Sequence, residues 1–272
     1  MAELKKTCDL LAPVVETARA AGLQILEIYA QDFSVAHKDD RSPLTEADMA
    51  AHHTIAAGLK SLTPDLPVLS EEEAAIPFAE RSKWRTYWLV DPLDGTREFI
   101  KRNGEFTVNI ALIADHQPIM GVIYVPVSGV CYFACRGAGA FRQDPGGAPQ
   151  PIRVRPWQGG HITVAGSRSH NDERFDRFLA QFDDHSIISM GSSLKSCLVA
   201  EGKADVYLRL GPTSEWDTAA AQCIVEEAGG KFLDTAMHPL RYNTKESLLN
   251  PFFIVCGDGR RDWAKYLAPC LV

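Results

Sequence analysis

Paired cysteines, positive charge and long apolar runs are all scarce in this sequence, and each shortage excludes a class of protein. The 7 cysteines, at positions 8, 131, 135, 197, 223, 256 and 270, are odd in number and contain no Cys-x-x-Cys pair. This argues against a disulfide framework and predicts reduced thiols in a cytosolic setting. Cys131 and Cys135, four apart in VCYFACRG, would share one face of a strand, but zinc would need two more soft ligands beside them. With 28 Lys and Arg against 35 Asp and Glu, the formal net charge is -7. Nucleic acid is therefore excluded as a ligand wrapped on a basic surface, while a small anion could still be held by a few local cations. No run approaches the roughly 18 apolar residues of a membrane span. The opening MAELKKTCDLLAPVVETA lacks the basic start, apolar core and cleavage site of a secretion signal. A cytoplasmic protein is expected; peripheral attachment to the cytoplasmic face of the inner membrane stays open, as does the choice between monomer and homodimer.

What is present is 272 residues with 46% hydrophobic content, enough for one large domain or two closely packed ones. Apolar residues at helical spacing predict an amphipathic helix over 3–30, kinked or restarted at Pro13. Thr45 with Asp48 three positions on is a capping-box signature opening a helix to about Leu59. LPVLSEEEAAI reads as a short strand running into acidic residues, and RTYWLVD as the next strand. From Phe106, three apolar runs separated by DHQP and PVSG predict a β-meander. Beyond DPGGAPQP, strands such as ITVAGS and SIISMG alternate with helices at SSLKSCLVAEG and SEWDTAAAQCIVEEAGG, the latter closed by Gly229 and Gly230. The expected division is an α+β half over 1–155 carrying most of the acidic site and an α/β half over 156–272.

Acidic residues gather at strand ends and helix starts: SEEE at 70–73, DPLD at 91–94 and WD at 216–217. Asp91 and Asp94 leave an apolar strand together, and two carboxylates that close repel unless a proton or cation is shared. Hard divalent cations take oxygen ligands, so convergence of the three segments would make a Mg2+ or Mn2+ site rather than a zinc site. Taken alone, SEEE reads as a solvated acidic loop, and Asp217 and Asp48 read as helix caps for Ser214 and Thr45. DPLDGT alters that balance, because Gly95 and Thr96 at a helix start offer N–H groups and a hydroxyl to a phosphate beside the paired carboxylates. Lys195 at the start of a helix opposes the macrodipole unless an anion is bound, Arg168 and His170 stand in AGSRSH, and Arg209 in YLRL reads equally as a surface ion pair.

The run SEE, WLVDPLDGTREFIKRNGEFTVNIALI, GSSLK and YLRLGPTSEWDTAAAQCIVEEAGG resembles the lithium-sensitive, magnesium-dependent phosphatases of the inositol monophosphatase superfamily. The likeness covers essentially the whole chain and is strongest to its 3'(2'),5'-bisphosphate nucleotidases. It implies an αβαβα layered sandwich of the inositol monophosphatase and fructose-1,6-bisphosphatase type. It also implies hydrolysis of 3'-phosphoadenosine 5'-phosphate (PAP) to AMP and phosphate, and action on the sulfated nucleotide PAPS, in the recycling of sulfate-assimilation by-products. By motif match Glu71, Asp91, Asp94, Asp217 and the Leu93 carbonyl would bind two or three Mg2+, with Mn2+ a substitute. Thr96, oriented by Asp48, would activate the attacking water, and Glu72 would belong to the water network. Gly95 and Thr96 N–H groups would hold the scissile phosphate, and His170, Ser192, Lys195, Arg209 and Glu215 match nucleotide-contacting positions. Arg97 stands where Lys is usual, SEEE replaces SEED, and Arg209 is nearer Asp217 in sequence than in eukaryotic relatives. An inositol monophosphatase or fructose-1,6-bisphosphatase-like enzyme would share the metal chemistry, and a non-catalytic nucleotide sensor would keep the fold without turnover.

Overall fold

A computed structural model describes residues 7–31, 35–37, 43–167 and 173–271, with 35–37 and 43–44 described by backbone alone. Arg168 and His170 lie outside the described residues. The first helix, α1 (Leu11–Tyr29), restarts two residues before Pro13, after a turn at 9–10. Pro13 thus sits in the first turn, where N–H groups have no intrahelical acceptor and its missing donor costs nothing. A ribbon of β1 (Val35–His37) and β2 (Pro43–Thr45) leads into α2 (Glu46–Leu62), which runs three residues beyond the expected end.

A seven-stranded sheet follows: β3 (Val68–Ser70), β4 (Thr86–Asp94), β5 (Thr107–Ala114), β6 (Gln117–Val125), β7 (Val130–Cys135), β8 (Gly139–Gln143) and β9 (Gln150–Ile152), paired in chain order. Only β3 and β4 are parallel; the remaining pairs form the antiparallel meander. Two short helices interrupt it, α3 (Phe78–Arg81) and α4 (Thr96–Ile100). The five-stranded sheet takes the order β11-β10-β12-β14-β13, from β10 (Ile162–Ser167), β11 (His185–Met190), β12 (Val206–Arg209), β13 (Lys231–Asp234) and β14 (Phe253–Cys256). Its helices are α5 (Glu173–Leu179), α6 (Leu194–Ala200), α7 (Glu215–Glu227) and α8 (Ala264–Leu267).

Strand alternation sorts these elements into five layers. Trp88, Val90, Ile110 and Leu112 point to a core shared with Val14, Ala18, Ile25, Ala51 and Ile55 of α1 and α2. Their neighbours Tyr87, Leu89, Ala111 and Ile113 point the other way, to a core with α6 and α7 that is closed by Tyr207, Phe232 and Val255 of the second sheet. The outer face of that sheet, including Val164, Leu208 and Ile254, meets α5 and α8. Because the first sheet is buried on both faces, its strands read as unbroken apolar runs. At Gly121 a Cβ would fall 2.3 Å from the Ala220 oxygen, so only glycine lets α7 lie this close to β6. The result is the αβαβα sandwich.

The expectation of wholly reduced thiols needs correction. Cys8 is disulfide-bonded to Cys135, with Cα atoms 5.7 Å apart, while Cys131, Cys197, Cys223, Cys256 and Cys270 are free and buried. Packing of the N-terminal helical segment across the sheet brings together two thiols 127 positions apart, a pairing no local spacing reveals. Cys131 does share the Cys135 face, but its neighbour is committed to Cys8 and no zinc set forms among the described residues. Among the described residues no helix is long and apolar enough to cross a membrane.

Candidate active site

The DPLD segment owes its geometry to a bulge. Residues three apart on a regular strand face opposite sides. Here Asp91 pairs with Asn109 and Asp94 with Thr107, so three steps along β4 answer two along β5. The extra residue puts both aspartates on one face, and Pro92 lies in the bulge, where the ladder asks for no N–H. Leu93 N donates to Asp91 Oδ1 at 3.1 Å, holding the first carboxylate against the turn. Gly95 follows at φ +93, a left-handed conformation that suits glycine, and starts α4.

Two other elements deliver carboxylates to this point. Because β3 runs parallel to β4 with Ser70 beside Val90, the single 3-10 turn Glu71–Glu73 leaves the sheet next to Asp91. Asp217 comes from the first turn of α7 across the cleft. Burial holds the Asp91 carboxyl well above the usual carboxylate range, and Glu71, Asp94 and Asp217 push it the same way. Asp217 is raised by burial and then by Asp94 and Glu71. Asp94 is raised by burial, against the pull of Lys195 and of hydrogen bonds from Ser193 and Asn109.

Among the described residues no three acidic, histidine or cysteine side chains are drawn together closely enough to hold an ion. What stands here is a group of hard oxygen donors under mutual repulsion, and that unbalanced charge fits a divalent cation.

Asp48 and Thr96 lie beside this group. Asp48 Oδ2 accepts from Thr45 N and from Thr45 Oγ1, each at 2.7 Å, completing the capping box of α2. Its other oxygen, Oδ1, faces Thr96 Oγ1 at 3.4 Å, and the same hydroxyl is 3.4 Å from the Leu93 carbonyl. The cap and the contact with Thr96 therefore coexist.

A cleft lined by Asp94, Gly95, Ser192, Lys195, Arg209 and Asp217 joins the carboxylates to the second half. Lys195 resolves its conflict with the helix dipole without a bound anion, since Nζ donates to Ser192 O at 2.6 Å and to Met190 O at 3.2 Å. Those bonds brace a loop in which Ser192 sits at φ +44. Burial pushes the Lys195 ammonium down to about 8, with Asp94 pulling the other way. Arg209 donates from Nη2 to Pro212 O at 3.2 Å, and its buried Nε has no hydrogen-bond partner among the described residues.

The structure does not bring Glu215 into the cleft. It is 1% exposed, its Oε2 accepts from Asn243 N at 2.7 Å, and burial pushes its carboxyl up to about 7. Glu72 is half-buried in the turn after Glu71. Arg97 and Glu98 line the cleft, although the sequence reading gave neither a role there. Thr107, Asn109 and Ser193 also surround Asp94 unforeseen. Their signal was two polar residues at alternate positions of the otherwise apolar TVNIALIA.

Comparison with known proteins identifies the family and the fold. A profile described as the inositol monophosphatase family matches residues 8–268. The 3'(2'),5'-bisphosphate nucleotidase CysQ of Salmonella typhimurium is 49% identical over 248 residues, spanning 90% of this chain and 99% of that protein. That of Escherichia coli K12 matches at the same identity and coverage. The crystal structure of CysQ from Bacteroides thetaiotaomicron superposes with a TM-score of 0.81 at 44% identity, covering 93% of this chain and 98% of that one. An IMPase of Thermotoga maritima shares the fold at TM-score 0.79 and 22% identity, covering 97% of this chain and 98% of that one.

Proposed function

The chain belongs to the inositol monophosphatase family, and from that premise we propose a Mg2+-dependent 3'(2'),5'-bisphosphate nucleotidase that converts PAP to AMP and phosphate. It acts on PAPS as well, in the recycling of sulfate-assimilation by-products. The observation that carries the reading is the meeting, in one cleft, of Asp94 and Asp217 with Lys195 and Arg209. Carboxylates suit a metal-bound phosphate on one side, and cations suit a second phosphate on the other.

Glu71, Asp91, Asp94, Asp217 and the Leu93 carbonyl would hold two or three Mg2+, with Mn2+ accepted by the same hard oxygens. The metal supplies charge neutralisation and Lewis acidity at the phosphoryl oxygens when bound. The chain's own residues account for orientation and proton movement. Thr45 fixes Asp48 Oδ2, which leaves Oδ1 aimed at the Thr96 hydroxyl. Thr96 accepts a proton from the attacking water and passes its own to Asp48, while Glu72 orders neighbouring water. Gly95 and Thr96 present N–H groups to the scissile phosphate from the start of α4. Lys195 and Arg209 take the 5'-phosphate, with Ser192, and His170 completes the nucleotide contacts. The ribose 3'-oxygen leaves as phosphorus gains the water oxygen.

Phosphate release from PAP and from myo-inositol 1-phosphate, side by side with Mg2+ and then with EDTA, tests this. A Mg2+-dependent preference for PAP that EDTA abolishes is expected. Preference for the inositol ester would keep the carboxylate chemistry and overturn the nucleotide pocket. Release from neither would overturn the enzyme reading in favour of a nucleotide sensor.

A further inference from the structure

Strand β5 carries two polar residues into the carboxylate cluster, and both are sealed from solvent: Thr107 is 0% and Asn109 1% exposed. They face Asp94 and Asp91 across the ladder, so the bulge that aligns the aspartates also aligns these two beneath them. Ser193 reaches the same spot from the other half of the chain. Its N–H donates to Asp94 Oδ2 at 2.6 Å, and its hydroxyl donates to Asn109 Oδ1 at 2.9 Å. Thr107 Oγ1 lies 3.0 Å from Asn109 Oδ1 and 2.9 Å from Ser193 Oγ.

These contacts dictate which way the Asn109 amide points. Its oxygen faces the hydroxyls, and its Nδ2 donates to Asp94 Oδ2 at 3.3 Å. Reversal would set the amide oxygen against the carboxylate and leave Nδ2 without an anionic acceptor. Thr107 Oγ1 adds a third, longer contact to the same Asp94 oxygen at 3.5 Å. All three contacts converge on Oδ2, so among the described residues Oδ1 is the oxygen left for a cation.

We infer that Asn109 is a positioning residue of the metal centre, which together with the Thr107 and Ser193 hydroxyls holds Asp94 with one oxygen turned to the ion. The inference rests on the metal-dependent phosphatase reading. Partners that orient a ligand in this way typically affect metal affinity by about 10- to 100-fold. A purely structural role in joining the two halves would lower the stability of the metal-free protein and leave metal affinity alone.

The test is calorimetric titration of Mg2+ into metal-free wild-type, Asn109→Leu, Thr107→Val and Thr107→Ser proteins, with the melting temperature of each measured without metal. Asn109→Leu should bind Mg2+ about 10- to 100-fold more weakly. Thr107→Val should bind more weakly than Thr107→Ser, which keeps the hydroxyl and should match wild type. A folded Asn109→Leu protein with wild-type Mg2+ affinity overturns the inference. Should Asn109→Leu not fold, equal Mg2+ affinity in the two Thr107 variants overturns it instead. Failure of the wild-type protein to bind Mg2+ overturns the metal reading itself, a result distinct from wild-type binding that the variants share.

Discussion

The helices that begin at Thr45 and at Ser214 open with the same device and send it to different places. Each has a hydroxyl residue at the cap and an aspartate three positions on, forming a complete capping box. Oδ2 of that aspartate accepts the cap N–H at 2.7 Å in Asp48 and 2.9 Å in Asp217. Beyond the cap the two diverge. Asp48 meets the hydroxyl of Thr96 through its other oxygen. Asp217 stands among Asp94 and Glu71, where burial and their charges raise its pKa. A helix cap therefore does not compete with chemistry: it occupies one oxygen, fixes the carboxylate, and leaves the rest of the group to be used. On the proposed mechanism the first cap aims a proton acceptor and the second holds a metal ligand among other carboxylates.

The largest effect is expected from breaking the second. Asp217→Asn keeps an oxygen to accept the Ser214 N–H but removes the charge from the cluster. Turnover of PAP at saturating substrate should fall by about 1,000-fold, a loss of several kcal/mol in transition-state stabilisation. The metal-free protein should melt no lower than wild type, because a like charge has gone. Turnover within a few fold of wild type would reduce Asp217 to a cap.

A smaller loss is expected at the first. Asp48→Asn likewise keeps the cap, so stability should change by about 1 kcal/mol or less. The amide cannot take a proton from Thr96, and turnover should drop by about 100-fold. Paired measurements of kcat and Tm distinguish the roles, since an activity loss that tracks a fall in Tm would mean that Asp48 serves the helix alone.

The legibility of these features in the sequence follows the range of the interactions behind them. Thr45 with Asp48 and Ser214 with Asp217 are contacts within one helical turn, and both boxes could be read directly. The meander was legible because apolar runs and turn residues are local as well. DPLDGT could be recognised as a site, but the bulge that turns Asp91 and Asp94 to one face depends on pairing with Asn109 and Thr107. Lys195 was read as a cation in need of an anion, yet its donors meet the Met190 and Ser192 carbonyls, beside a left-handed Ser192. The Cys8–Cys135 bond and the Glu215–Asn243 contact join distant segments and depend on layer packing, which composition and spacing do not encode.

Glu46 and Glu215 carry the comparison one step further, because each follows the cap directly. Glu46 is exposed, whereas Glu215 is buried beside Tyr87, Arg81 and Asn243. Its carboxyl is pushed from 4.5 to about 7 by burial, against the Asn243 N–H and the Arg81 guanidinium. A folded-state value above the unfolded one means that the folded protein holds this proton more tightly. The resulting stability is present in full below about pH 4.5 and is lost as pH rises through about 7. Glu215→Gln retains an acceptor for Asn243 but cannot titrate. In urea unfolding of the metal-free protein, it should flatten the decline in stability across this range by at most on the order of 3 kcal/mol. Parallel stability curves for the two proteins would mean that Glu215 is already ionised when folded. The two helix starts would then differ less in charge than their burial suggests.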